Sequence, residues 1–291
     1  FTFFEKSSIL YQIIFIMFDN RKEVLMKIKK YLFLGLFIMA ILFKYSDKKV
    51  DDNILKKVEY KKIEVNDVAE LYEERDNEGL YVYSNSDLDL RELSSEERKD
   101  AFVQLLLPAI TVVHEEIRND KEIIKKLKEK PELTEEEKEY SENIFSRYKV
   151  KYGNWQELES KMIIYPASLI LTQGALESAW GTSRFFREGN NIFGMWSSNP
   201  NEPRMAAKGV RDNGFVPHLK KYDTIKDSVA DIVLTISRND AYKKVRESIN
   251  NEKPAPEIAY GLIKYSEEGE EYIRKIRTTM AKNNFMKYDI N

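Results

Sequence analysis

The chain has 291 residues, 42% hydrophobic and 33% charged, which suits one good-sized domain plus an extension. Its 47 basic and 49 acidic residues nearly cancel, to a formal net charge of -2, and give no electrostatic case for a nucleic-acid partner, which calls for a concentrated basic face. There is no cysteine, so disulfides, thiolate nucleophiles, zinc ribbons and lipobox acylation are excluded.

Residues 1–25 open on Phe and carry an apolar run over 9–18. They are expected to be an upstream extension that is not translated. Met26-Lys27-Ile28-Lys29-Lys30 makes a better start, because the apolar run 31–43 follows it. A basic stretch before roughly 7–15 apolar residues is an export-signal pattern; the alternative is a buried core helix. No small-x-small cleavage site follows, so 26–43 is read as a signal peptide or a retained membrane anchor. It is short of the roughly 20 residues of a full span. Residues 44–86 are rich in Lys, Asp, Glu and Asn, lack an apolar period, and predict a polar, partly disordered linker.

Ser94-Ser95-Glu96-Glu97 is a capping-box start. The helix it opens carries Phe102, Leu105, Leu106 and Ile110, with Pro108 as a kink, and runs towards Lys130. Thr134-Glu135-Glu136-Glu137 opens a second helix to about Val150. Asn154 caps a third over 155–162. Pro166 fits the first turn of the next helix. There Leu169, Gln173, Leu176 and Trp180 recur at helical spacing, and Gly181 fits the left-handed stop. Further on, Asn213-Gly214 is a strong hairpin signal. Thr224 starts a helix to about Arg238, and shorter helices fill 240–283. The expected fold class is mainly α with a small β-hairpin lobe.

Glu177 carries the candidate chemistry. It lies about 100° around the helix from Leu176, by the geometry of roughly 3.6 residues per turn, at the edge of an apolar stripe. Its helical neighbours Gly174 and Gly181 leave room for a ligand. A carboxyl at an apolar margin resists ionisation, so it holds a proton that it can give to a leaving oxygen. The bland alternative is a solvated helical glutamate.

The run Ala175-Leu176-Glu177-Ser178-Ala179-Trp180-Gly181-Thr182-Ser183-Arg184 resembles the catalytic-helix signature of the Bax-like glucosaminidases, a branch of the bacterial endo-β-N-acetylglucosaminidases. Gly189-Asn190-Asn191-Ile192-Phe193-Gly194 resembles the family's cleft loop, and Lys264-Tyr265-Ser266-Glu267-Glu268-Gly269-Glu270-Glu271-Tyr272-Ile273 its C-terminal motif. Upstream, 97–102 and 105–108 resemble its pre-catalytic helix. The family usually has Gly where Ala179 stands. The resemblance implies a lysozyme-like fold over 87–285, with a helical pre-domain 87–162 and a catalytic part 163–285. It implies Glu177 as general acid, Tyr272 beside it, and Asn191, Phe193, Gly194, Trp196 and Tyr265 along the substrate cleft.

Glycosidases normally use two carboxylates. Asp212, on the expected hairpin, is the weak second candidate, and an ordinary turn residue is the competing reading. Trp196 and Phe193 either stack on sugar faces or pack the cleft wall. His114 and His218 are isolated and form no metal-ligand set, so neither metal nor cofactor is expected. The implied activity is cleavage of peptidoglycan glycan strands at N-acetylglucosamine, by an exported protein of the periplasm or cell envelope. The alternatives are a lytic transglycosylase and a non-catalytic glycan-binding envelope protein.

Overall fold

A computed structural model describes residues 54–73, 79–85, 88–208 and 216–289. The expected extension and export signal, 1–43, and the hairpin tip with Asp212 lie outside the described residues. Among the described residues no helix is long and apolar enough to cross a membrane.

Two five-residue strands come first, β1 (Lys61–Val65) and β2 (Tyr81–Asn85), paired in parallel from Lys61 against Tyr81 to Val65 against Asn85. Here the structure departs from the linker expected over 44–86. From Leu55 onward the chain belongs to one compact unit that runs to Asn291. Val65, Leu71, Val82, Tyr83 and Leu88 are buried. Their apolar content is real but spread over two short strands and a 3-10 turn, Val68–Tyr72. No single window is long enough to show a period.

The long helix α1 (Ser95–Glu129) begins with the expected capping box, Ser94 and Glu97 each satisfying the other's backbone N–H. Pro108 lies inside it, and its apolar face, including Phe102, Leu105, Leu106 and Ile110, is buried. α2 (Glu135–Arg147) carries the second capping box, at Thr134 and Glu137. α3 (Trp155–Lys161) is capped by Asn154. The end of α1 closes with these two helices over a small core of Ile124, Ile144, Phe145, Tyr148, Val150, Leu158 and Met162.

α4 (Ala167–Glu177) crosses the main core, with every residue from Ala167 to Ala175 buried. It meets α1 at Gly174. A Cβ there would stand 3.0 Å from Ile192 Cγ2, 3.2 Å from Leu106 Cδ2 and 3.3 Å from Phe102 Cζ. Gly181 is similarly tight against Leu90, Phe186 and Phe102. These two glycines therefore admit neighbouring helices and loops, and not a ligand as their place beside Glu177 suggested.

α5 (Arg184–Gly189) follows, and then the β-lobe. β3 (Arg204–Ala206) pairs antiparallel with β4 (His218–Lys220), while the turn expected at Asn213-Gly214 lies outside the described residues. α6 (Ile225–Arg238) starts at a third capping box, Thr224 with Asp227. α7 (Lys243–Asn250), α8 (Ala255–Ile258) and α9 (Glu270–Lys282) complete the expected series of shorter helices. The architecture is mostly helical with small strands.

Candidate active site

Glu177 is the last residue of α4, with Ser178 as its cap. The helix stops earlier than its spacing predicts. Ala179, Trp180 and Gly181 all take left-handed backbone, at φ 50°, 59° and 78°. The Ser178 hydroxyl secures this turn, donating to the Gly174 carbonyl at 2.6 Å and accepting from the Gly181 N–H at 2.9 Å. Trp180 leaves the stripe and packs edge-on against Phe102, ring centroids 5.7 Å apart. Lys99 Nζ lies 5.3 Å from its ring centroid.

The surface of Glu177 is open to solvent, but its carboxyl end sits close enough to protein to feel desolvation. That burial, with the charge of Glu268, raises its pKa, while a hydrogen bond from Tyr272 opposes the rise. The Tyr272 hydroxyl donates to Glu177 Oε1 at 2.8 Å. Tyr272 is itself buried, on the first turn of α9. Desolvation and its neighbours' charge raise its pKa, so it stays a phenol and a donor. Tyr265 stacks on it, centroids 5.4 Å apart and planes 17° from parallel. The carboxylates around Tyr272 do not crowd the site freely. Glu268 pairs with Lys275 at 2.7 Å, and Glu271 pairs with Arg274.

The cleft-loop segment packs on α4 through Ile192, which lies against Gly174. Asn190 ends α5 in left-handed backbone and donates to the carbonyls of Tyr222 and Asp223. Asn191 is buried, and its whole amide is committed. Nδ2 donates to the Met195 and Lys220 carbonyls, and Oδ1 accepts from the Met195 N–H. It ties the loop to β4 and offers no free group to a sugar. Phe193 is 4% exposed and belongs to the main core, whereas Trp196 is 54% exposed. Packing describes Phe193, while Trp196 is more than half exposed. Gly194, at φ 62°, has open space where a Cβ would stand.

His114 Nε2 lies 2.9 Å from the Tyr165 carbonyl and His218 Nδ1 lies 3.0 Å from the Val216 carbonyl. Desolvation pushes the His114 pKa down to about 4, so this ring is neutral and structural. The apolar stripe of α4 contains one buried polar group beside Glu177. Gln173 stands one turn before Glu177 and accepts from the Tyr165 hydroxyl at 2.6 Å. A polar amide recurring within an apolar stripe was the available signal.

Known proteins resemble this chain. A model of the glucosaminidase family, described as mannosyl-glycoprotein endo-beta-N-acetylglucosaminidase, matches residues 152–285. Protein bax of Escherichia coli (strain K12) is 30% identical over 202 residues, covering 65% of this chain and 71% of that protein. The chain belongs to the glucosaminidase family. Solved structures also resemble this glucosaminidase chain. The catalytic domain of the autolysin Auto from Listeria monocytogenes is 18% identical with a TM-score of 0.36, covering 57% of this chain and 94% of that one. The glycoside hydrolase domain of FlgJ from Salmonella typhimurium is 23% identical with a TM-score of 0.35, covering 50% and 90%.

Proposed function

We propose that this glucosaminidase hydrolyses the glycan strands of peptidoglycan at N-acetylglucosamine, as an endo-β-N-acetylglucosaminidase with Glu177 as general acid. The observation that carries the reading is a desolvated carboxyl with a raised pKa, held at one oxygen by a buried tyrosine. Binding alone does not require such a proton donor. Glu177 gives its proton to the glycosidic oxygen as the bond to the anomeric carbon breaks. Water adds hydroxide to that carbon, and its second proton restores the acid. Tyr272 steadies the carboxylate in between.

Among the described residues, the carboxylate whose charge reaches Glu177 is Glu268, and Lys275 occupies it. That favours the route in which the substrate's own acetamido oxygen attacks the anomeric carbon and water opens the resulting ring, an established exception to the two-carboxylate rule. Trp196 is the exposed aromatic suited to a sugar face. An exported location facing the wall, with 26–43 as signal or anchor, completes the proposal.

Glu177→Gln should keep the melting temperature and cut muropeptide release from purified walls by about 10²–10⁴, the usual worth of acid–base catalysis. Near-normal release from the folded variant would sink the assignment. The acid must be protonated to act, so wild-type rate should fall as pH rises through a Glu177 pKa above the ordinary carboxylate range. Mass spectrometry should find reducing N-acetylglucosamine ends; anhydro-muramic ends would replace the hydrolase with a lytic transglycosylase. Asp212→Asn should lose less than about tenfold, because general-base help is worth about 10²–10⁴ and none is expected from a turn residue. A loss beyond that range's lower end would restore Asp212 as the second carboxylate.

A further inference from the structure

Gln173 is fully buried, one turn before Glu177 on the same face of α4. The Tyr165 hydroxyl donates to Gln173 Oε1 at 2.6 Å. Tyr165 is also fully buried, and His114 contacts its carbonyl. The oxygen end of Gln173 therefore faces Tyr165, and the two N–H donors of Nε2 face away from it.

Those donors are the anomaly. Nε2 is buried with no hydrogen-bond partner among the described residues, and a buried donor left unsatisfied is destabilising. The same side chain lies against Tyr272 closely enough to favour the ionised phenol, as a donor would. No hydrogen bond of ordinary geometry satisfies Nε2. Catalytic hydrogen bonds are often long in the free enzyme and tighten in the complex.

We propose that Gln173 is a positioning residue for the acid. When a glycan fills the cleft, Nε2 closes onto the Tyr272 oxygen and leaves the phenolic proton one destination, Glu177 Oε1. The inference rests on Glu177 being the acid. Its chemistry follows from counting protons. A phenol has one to give, and its lone pairs can accept. With Gln173 donating into Tyr272 and Tyr272 donating into Oε1, the acid's own proton must sit on Oε2. After transfer, the same polarised phenol stabilises the carboxylate. Tyr165 keeps the chain in register from its far end.

The test uses the full-length protein on soluble peptidoglycan fragments. Gln173→Met keeps length and apolar fit but removes the amide. It should lower kcat by about tenfold, less than the 10²–10³ of a donor acting directly on a transition state, and leave KM unchanged. The high-pH limb of its kcat profile should move upward, because a less firmly held carboxylate keeps its proton longer. In a Tyr272→Phe background, Gln173→Met should cost nothing more, since a coupled pair is non-additive. If Gln173→Met does not fold, the pair Gln173→Met with Tyr165→Phe serves instead, since replacing both partners of a buried hydrogen bond is nearly neutral. An unchanged rate and profile, or an equal loss with and without the Tyr272 hydroxyl, overturns the positioning role while Glu177→Gln remains inactive. Activity in Glu177→Gln overturns both readings together.

Discussion

The two helices that meet at Gly174 are built on opposite plans. α1 is specified by its own sequence. A capping box closes its start, Glu96 and Glu97 fill its first turn, and Lys126 and Lys128 its last, all favourable to the helix dipole. α4 has none of these. No side chain of its own caps it at Pro166, and neither end carries a complementary charge. Its first nine residues are buried without a polar face, and it ends in three left-handed residues, two of them not glycine. α1 is a scaffold that local interactions nearly suffice to form. α4 exists because the rest of the fold encloses it. That difference places a carboxylate at the end of an apolar rod, against Tyr272, where desolvation can act on it. Strain of this kind persists only where surrounding structure over-determines it, and it gathers at functional sites.

The sharpest way to break the comparison is at the end of α4. Gly181→Ala forces a side chain into left-handed backbone, which costs roughly 1–2 kcal/mol. It also places a Cβ 2.9 Å from Leu90 Cδ1, in the pocket it shares with Phe102 and Phe186, where overpacking costs roughly 1–3 kcal/mol more. Denaturant melts should show a loss of about 2–5 kcal/mol. A loss below about 1 kcal/mol would mean that the turn is not enclosed as described.

The start of α4 should respond less. The cap that its own sequence lacks comes from Asp289, which accepts from the Ser168 N–H at 2.8 Å and the Ser168 hydroxyl at 2.6 Å. Asp289→Ala should cost about 1–2 kcal/mol, the worth of an N-terminal cap. Desolvation raises the Asp289 pKa in spite of both bonds, so its charge is not what stabilises the fold. A group whose folded pKa is raised contributes most below its unfolded pKa, near 4, and loses that contribution as pH rises through the folded value. Asp289→Asn should therefore retain most of the stability at pH 7, measured by thermal melts. An Asn variant as damaged as Ala would show that the charge matters after all.

How far the sequence could be read follows the same division. The capping boxes at Ser94, Thr134 and Thr224 are local signals, and all three start helices where expected. The antiparallel pairing of β3 with β4 joins segments close in sequence. The parallel pairing of β1 with β2 is not signalled locally, since nothing within either strand names its partner. Nor does anything near Pro166 announce a cap 121 residues away. Tyr272 and Glu177 stand 95 residues apart, and only the resemblance to a family joined them before the structure did. The early end of α4 escaped for a different reason. Ala179 and Trp180 are good or tolerable helix residues, so the period continued through them while tertiary packing turned the backbone the other way.

That last point gives the smallest effect and the most direct comparison. Ala179 is exposed and sits at φ 50°, where glycine is free of the steric penalty. Ala179→Gly relieves roughly 1–2 kcal/mol of strain but adds unfolded-chain entropy worth about 0.4–1 kcal/mol. The balance is a gain of about 0.5 kcal/mol, or about 1–2 °C in melting temperature for a domain of this size. Ala109, buried in the middle of α1, is the matched control. There the same substitution adds entropy, leaves a small gap and relieves nothing, so it should cost about 1 kcal/mol or more. Opposite signs for one chemical change in two touching helices would establish that α1 agrees with its own propensities and that the end of α4 is held against them. A loss of stability at both positions would mean that the left-handed turn carries no strain at Ala179, and that the enclosure of α4 by its neighbours ends at Glu177.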